Sequence, residues 1–243
     1  MDPLALESIF LAFGGMRYII SWALIQDARP GDLAPSLINS SRPSVGIIAC
    51  DDLEHLVERE IPALRKLHRD GYVRLFFLST LNTDNRDEGL VAFGRFLAKR
   101  LHIVHLACHA CEKNPLSQSY LLVNTRFDIT MEDFVVREFT IRHHPFVVLN
   151  ACLTGTINPL YISNWAALFW ERGARGVLAT EFHVPDAFAA AFSEELYRHF
   201  LSNKPIGEAL LAARRHFWEE ERNPLGLAYA LYSSPSIRIV NAN

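Results

Sequence analysis

From Val45 onward the chain alternates two kinds of hydrophobic pattern. Short continuous apolar runs, Val45–Cys50, Val73–Ser79, Ile103–Ala107, Phe146–Ala151 and Gly176–Phe182, are separated by longer stretches whose apolar positions recur at helical spacing. A short apolar run bounded by turn signals predicts a strand buried on both faces, whereas recurrence every three to four residues predicts a helix with one buried stripe. Alternation of the two predicts βαβ units and therefore an α/β fold: a doubly wound, mostly parallel sheet with helices on both faces. Between Leu53 and His68 the positions Leu53, Leu56, Val57, Ile61, Leu64 and Leu67 share a face. Asp51 or Asp52 is placed to cap that helix, and Pro62, which lacks an amide proton, should kink it.

Further helices are predicted over Gly89–Arg100, Met131–Arg137, Asn164–Arg172 (ended by Gly173), Ala187–Leu201 and Ile206–Glu220. Asn82–Asp87 reads as a polar turn and Ser119–Val123 as a small extra strand. Leu227–Tyr232 and Ser236–Val240, on either side of Pro235, read as a terminal hairpin or a pair of edge strands. Ahead of Val45, Gly14-Gly15 breaks an apolar stretch, Met16–Ile25 fits strand or helix, and Arg29–Pro43 is a proline-rich loop. The expected division is an N-terminal segment over 1–44 and one domain over 45–243.

Composition narrows the function classes. The 243 residues are 50% hydrophobic and 21% charged, with a net charge of −3 and a pI near 6.4. No global positive field draws such a chain to nucleic acid or to an anionic membrane surface. No basic segment precedes the first apolar stretch, and no apolar run approaches the roughly 20 residues that span a bilayer. Four cysteines are too sparse for a disulfide scaffold and suit a reducing cytoplasm. Neither GxGxxG nor GxxxxGK[ST] occurs, so no nucleotide cofactor is expected. Trp165, Phe169 and Trp170 lie at helical spacing and read as core rather than a base-stacking platform.

In a doubly wound sheet the functional crevice lies beyond the carboxyl ends of the strands. His109 and Cys152 both follow apolar runs, and the chain between them is long enough for one crossover between neighbouring parallel strands. An imidazole beside a thiol can take its proton as the sulfur attacks a carbonyl. The backbone N–H groups of Cys152 and Ala110 are candidate donors to the resulting oxyanion. Taken singly, each side chain has a plainer explanation, a buried small hydrophobe and a hydrogen-bonded imidazole, and spacing alone leaves both readings open. His102, His105, Cys108, His109 and Cys111 offer zinc-type ligands, with His143 and His144 elsewhere in sequence. On a strand, however, His105 and His109 face one side while His102 and Cys108 face the other, so no metal is expected.

The surrounding text separates these readings. LHIVHLACHA (Leu101–Ala110) resembles the His-containing block of clan CD cysteine peptidases, and VVLNACLTG (Val147–Gly155) resembles their Ala-Cys block. VGIIACDDLEHLVEREIPALRKL (Val45–Leu67), GARGVLATEFHVPD (Gly173–Asp186), GEALLAARRHF (Gly207–Phe217) and LAYALYSSPSIRIV (Leu227–Val240) are similar to the remaining blocks of the CHAT-domain family, a caspase- and separase-like branch of that clan. The resemblance implies a cysteine endopeptidase of caspase-like fold acting on a protein substrate through a thioacyl-enzyme. His109 is then the general base and Cys152 the nucleophile, and no cofactor is needed. It also implies a P1 pocket in which Asp186, with Glu181 nearby, faces a basic residue, although Asp186 equally suits a helix cap. Arg126 and Asp128 would border the cleft. A regulatory protein or domain, and a setting in bacterial defence, are further implications. Two positions depart from the pattern: Ala110 stands where the family has Gly, with a Cβ that disfavours left-handed backbone, and Phe182 stands where Trp is common. Ala110 is the feature that favours the alternative, a catalytically inactive caspase-like interaction domain.

Overall fold

The structure, a computed structural model, describes residues 36–78, 85–153 and 159–240, and of residues 116, 152, 153 and 159–164 it describes the backbone alone. Among the described residues the strands are β1 (Leu37–Asn39), β2 (Ser44–Ala49), β3 (Arg74–Phe77), β4 (Ile103–Cys111), β5 (Tyr120–Asn124), β6 (Phe127–Thr130), β7 (Phe146–Leu153), β8 (Gly176–Thr180), β9 (Tyr229–Tyr232) and β10 (Arg238–Val240). A π-helical turn, Leu56–Glu60, leads into α1 (Ile61–Arg69). The helices that follow are α2 (Arg86–Leu97), α3 (Met131–Val136), α4 (Pro159–Glu171), α5 (Asp186–Phe200) and α6 (Ile206–Glu221).

The main sheet runs β3-β2-β4-β7-β8-β9, with the β5–β6 hairpin attached to the far end of β4. Its first five strands are parallel, and β9 closes one edge antiparallel to β8. The fold is therefore the expected α/β class, with helices on both faces. The strands nearest the centre are the ones whose apolar runs are continuous, because a parallel strand covered by helices on both sides has no solvent face to mark with polar residues. β3, at the other edge, leaves Phe76 and Phe77 partly exposed.

Local signals account for most helix boundaries. Asn85 Oδ1 accepts from the Asp87 amide (3.1 Å) at the start of α2, and Thr130 and Asp133 form a reciprocal capping box at α3. Gly173 ends the turn after α4 at φ +112°, where an added Cβ would stand 2.5 Å from the Ile141 carbonyl oxygen. Pro62 does not break its helix. It occupies the first turn of α1, where a missing amide costs nothing, and the irregularity is taken up by the π-helical turn ahead of it.

Several expectations are corrected. β4 continues to Cys111 rather than ending at Ala107, because β5 pairs antiparallel with His109, Ala110 and Cys111 while β7 supports the other side. β7 likewise runs through Leu153, so His109 and Cys152 lie within the last turns of the ladder rather than just past it. β6 was not anticipated; Arg126 and Asp128 belong to the β5–β6 hairpin, whose turn Asn124 Oδ1 secures by accepting from the Arg126 amide (2.8 Å). The last two strands do not pair with each other: β10 runs parallel to β1, a three-residue strand inside the stretch read as a loop. Such pairings join distant residues, which local periodicity does not register. Gly14-Gly15, Met16–Ile25 and residues 82–84 of the Asn82–Asp87 turn lie outside the described residues.

Candidate active site

β4 and β7 are hydrogen-bonded neighbours along their whole length, and their register sets Ile103 opposite Phe146, Ala107 opposite Asn150 and His109 opposite Cys152. Registered residues of adjacent strands belong to the same face of a sheet. The two residues picked out by sequence are thus nearest neighbours across the ladder at its carboxyl end.

His109 is not alone there. The turn after β2 brings Asp52 to its ring, with Nε2 and Oδ1 3.1 Å apart, and the same carboxylate oxygen accepts from the Cys50 thiol at 2.9 Å. The turn is fixed on both sides: the Cys50 amide donates to the Ala107 carbonyl (2.8 Å), and Asp51 Oδ1 accepts from the Thr125 amide (3.0 Å). Asp51 and Asp52 therefore tie strand ends together rather than capping a helix. His109 Nδ1 is shielded from solvent and has no hydrogen-bond partner among the described residues. An imidazole with a carboxylate on one nitrogen and the other nitrogen free is held in one orientation and is ready to accept a proton.

Burial, reinforced by the hydrogen bond to Asp52, pushes the Cys50 thiol up to about 12, so it stays protonated when no metal is bound. Partial burial alone would raise the Asp52 carboxyl. The Cys50 hydrogen bond and the interactions with His109 outweigh it and hold the carboxyl below its ordinary value.

Beneath the site, on the same face, lies a buried polar network. Glu60, from the π-helical turn, is 2% exposed and accepts from Asn150 Nδ2 at 3.0 Å. Its Oε1 is 2.9 Å from His105 Nε2, an ion-pair distance at an angle too oblique for a good hydrogen bond. His105 Nδ1 pairs with the Tyr197 hydroxyl (3.1 Å), and the Tyr229 hydroxyl donates to Asn150 Oδ1 (2.7 Å). Burial and the nearby Glu60 both hold the Tyr197 phenol protonated. Asn150 is two residues before Cys152 on β7, so the network fixes the strand that carries the candidate nucleophile.

Ala110 has no exposed surface and is registered with Leu153 on one side and Leu121 on the other. Its backbone is extended strand and is not among the non-glycine positions of positive φ in the described residues, which are Glu138, His144, Asn203 and Arg222. Replacing Gly by Ala here therefore meets no left-handed requirement. Asp186 opens α5, and its Oδ2 accepts from the His55 amide (2.8 Å), linking α5 to the segment that carries Asp52 rather than capping its own helix. Glu181 is engaged elsewhere, accepting from the Tyr232 hydroxyl at 2.7 Å. Phe182 is 44% exposed. The five His and Cys residues of β4 and its approach do not converge: His102 Nδ1 lies 2.7 Å from the Ser44 hydroxyl, and His105 is locked into the buried network.

Asp52 was missed as a site residue. The signal was available, since it follows β2 just as His109 and Cys152 sit at the ends of their strands, but an acidic pair before a helix has a commoner explanation as a cap.

The folding pattern is that of the clan CD cysteine peptidases. The Arg-specific cysteine proteinase gingipain R superposes over 96% of this chain and 52% of its own, with a TM-score of 0.54 at 12% identity. Separase, in its complex with securin from Saccharomyces cerevisiae, superposes over 85% of this chain and 13% of its own, with a TM-score of 0.50 at 16% identity. The sequence model of the CHAT domain matches residues 51–236, and the chain belongs to that family. A curated relative, described as a probable protease of Vitiosangium sp., is 28% identical over 145 residues, 57% of this chain. The chain spans about a fifth (19%) of that relative's length. No helix among the described residues is long and apolar enough to cross a membrane.

Proposed function

We propose that this protease-like CHAT domain is a cysteine endopeptidase with Cys152 as nucleophile, His109 as general base and Asp52 as the residue that positions His109. The observation that carries this reading is the register of His109 with Cys152 at the carboxyl ends of two adjacent strands, with a carboxylate already on Nε2 of the imidazole.

In the first step the Cys152 thiol gives its proton to His109 as sulfur bonds to the scissile carbonyl carbon. The carbonyl oxygen takes the displaced electron pair, and the backbone N–H groups of Cys152 and Ala110 are the proposed donors to it. When the tetrahedral species collapses, the C–N bond breaks and the leaving amine takes the proton back from His109. Water, deprotonated by the same imidazole, then releases the acyl group from sulfur and restores the thiol. Asp52, acting through His109, keeps the imidazole in one tautomer and offsets the positive charge it gains.

A basic P1 residue is the preference this reading carries. Asp186, whose Oδ2 ties it to the segment bearing Asp52, is the acceptor proposed first, and Glu181 the second. The partners are protein substrates and a regulatory protein or domain, as separase has in securin. A defence role would make the substrate a second protein that the cut activates. The test is a P1-varied peptide library assayed with wild type, Cys152→Ser and Asp186→Ala. Cleavage lost in Cys152→Ser, and a preference for Arg or Lys lost in Asp186→Ala, are the expected results. Equal turnover by Cys152→Ser and wild type would remove the peptidase assignment.

A further inference from the structure

The Cys50–Asp52–His109 cluster has a chemistry that peptide cleavage does not use. A thiol, a carboxylate and an imidazole, each offering one ligand atom, lie with those atoms all within 4.8 Å of one another. We propose that these three side chains form a binding site for zinc, or a divalent cation of similar preference, and that filling it ties up the general base and silences the peptidase. The silencing rests on the peptidase reading; the binding does not.

Three observations support it. The donor set of sulfur, nitrogen and oxygen is the one zinc selects, and three protein ligands with one position left for water is a recurrent arrangement at accessible zinc centres. The spacing fits. With bond lengths of about 2.3 Å to sulfur and about 2.0 Å to nitrogen and oxygen, tetrahedral geometry asks for about 3.5 Å between Sγ and the carboxylate oxygen and about 3.3 Å between that oxygen and the ring nitrogen. The contacts here are 2.9 and 3.1 Å, so each pair needs to open by well under 1 Å. The third observation is the gradient of access: Cys50 is fully buried at the base, the His109 side chain is 20% exposed and that of Asp52 39%, giving an ion a way in past the carboxylate.

The scaffold is rigid on both sides, since Cys50 is anchored to β4 through its amide and His109 lies inside β4 itself. On binding, the Sγ–metal bond replaces the S–H bond, and one proton leaves to solvent with no change of oxidation state. His109 Nε2 becomes a ligand: the proton it shares with Asp52 in the metal-free site moves to Nδ1, and both groups bond the metal instead of each other. The imidazole then has no capacity to shuttle a proton at Cys152, and the site becomes a metal-controlled brake.

The experiment uses the full chain carrying Cys152→Ser, so that the nucleophile cannot serve as a ligand, titrated with Co²⁺ and followed by thiolate-to-cobalt charge-transfer absorption. One equivalent should bind. Adding Cys50→Ala should abolish the charge-transfer band and weaken binding at least tenfold, with Asp52→Asn as a second variant that keeps the thiol and still weakens binding. A parallel series measures Zn²⁺ inhibition of peptide cleavage, each variant normalised to its own rate in chelator; Cys50→Ala should need at least tenfold more zinc than wild type. Absence of the band, or equal binding with and without Cys50, overturns the site. Cobalt bound through Cys50 in a protein that cleaves no peptide when metal-free leaves the site standing and removes the peptidase reading.

Discussion

Along β4 the odd-numbered positions are Ile103, His105, Ala107, His109 and Cys111, and the even-numbered ones Val104, Leu106, Cys108 and Ala110. One side of a single strand thus contributes to a polar network and a candidate active site, while the other is entirely small or apolar. The helices that cover the two sides follow suit. Over the even-numbered side, Phe96 of α2 packs where the absent Cβ of Gly46 leaves room, and Phe134 of α3 meets Phe93, Phe139, Trp165 and Phe169 edge-on at centroid distances of 5.2–5.7 Å. Over the odd-numbered side, Glu60 and Tyr197, with Tyr229 of β9, bring polar atoms into the core and are satisfied there by Asn150 of β7 and His105 of β4. The apolar side supplies stability without direction. The polar side costs desolvation but gives the strands a fixed relation to what stands at their ends.

That division predicts opposite responses to substitution. His109→Ala should lower kcat/KM by about 10³-fold while changing unfolding free energy by less than about 1 kcal/mol, read by peptide hydrolysis and urea unfolding on the same preparation. Phe134→Ala on the other side should do the reverse, costing about 4 kcal/mol of stability with kcat/KM of the folded fraction unchanged. A large rate loss there would dissolve the contrast between the two sides.

Asn150→Ala lies between the two. It strands the Glu60 carboxylate and the Tyr229 hydroxyl without their shared partner, so about 2–3 kcal/mol of stability should be lost, together with activity, since Asn150 and Cys152 share β7. The smallest effect is a pH dependence. The folded-state carboxyl of Asp52 is held below its ordinary value, so its ionised form adds stability above the ordinary carboxylate range, and the contribution disappears as pH falls through the lowered value. Urea midpoints of wild type and Asp52→Asn should therefore differ near neutral pH and converge in acid below the ordinary carboxylate range. A difference that persists in acid would mean that Asp52 acts through shape rather than charge.

Much of this was legible in the residues. Val45–Cys50, Ile103–Ala107 and Phe146–Ala151 declared themselves as buried strands because a continuous apolar run has few other uses, and Ala187–Leu201 and Ile206–Glu220 as helices by their period. The extension of β4 past Ala107 was not legible, because its last residues join the ladder only through β7 on one side and β5 on the other, both supplied from downstream. β1 and β10 were obscure for the same reason: three-residue strands exist only as a pair, and their partners are two hundred residues apart in the chain.

At the candidate site, His109 and Cys152 were reached from sequence because strand ends in a doubly wound sheet are where chemistry collects and the flanking blocks carry a family pattern. Which face each residue took, and which of the many polar side chains met them, depended on register and on the path of the turn after β2. Asp52, Cys50 and Glu60 therefore acquired roles only in three dimensions. Local composition determines what an element is, because hydrogen bonding and burial act over a few residues. Which donors and charges stand within 3 Å of one another is decided by how those elements pack.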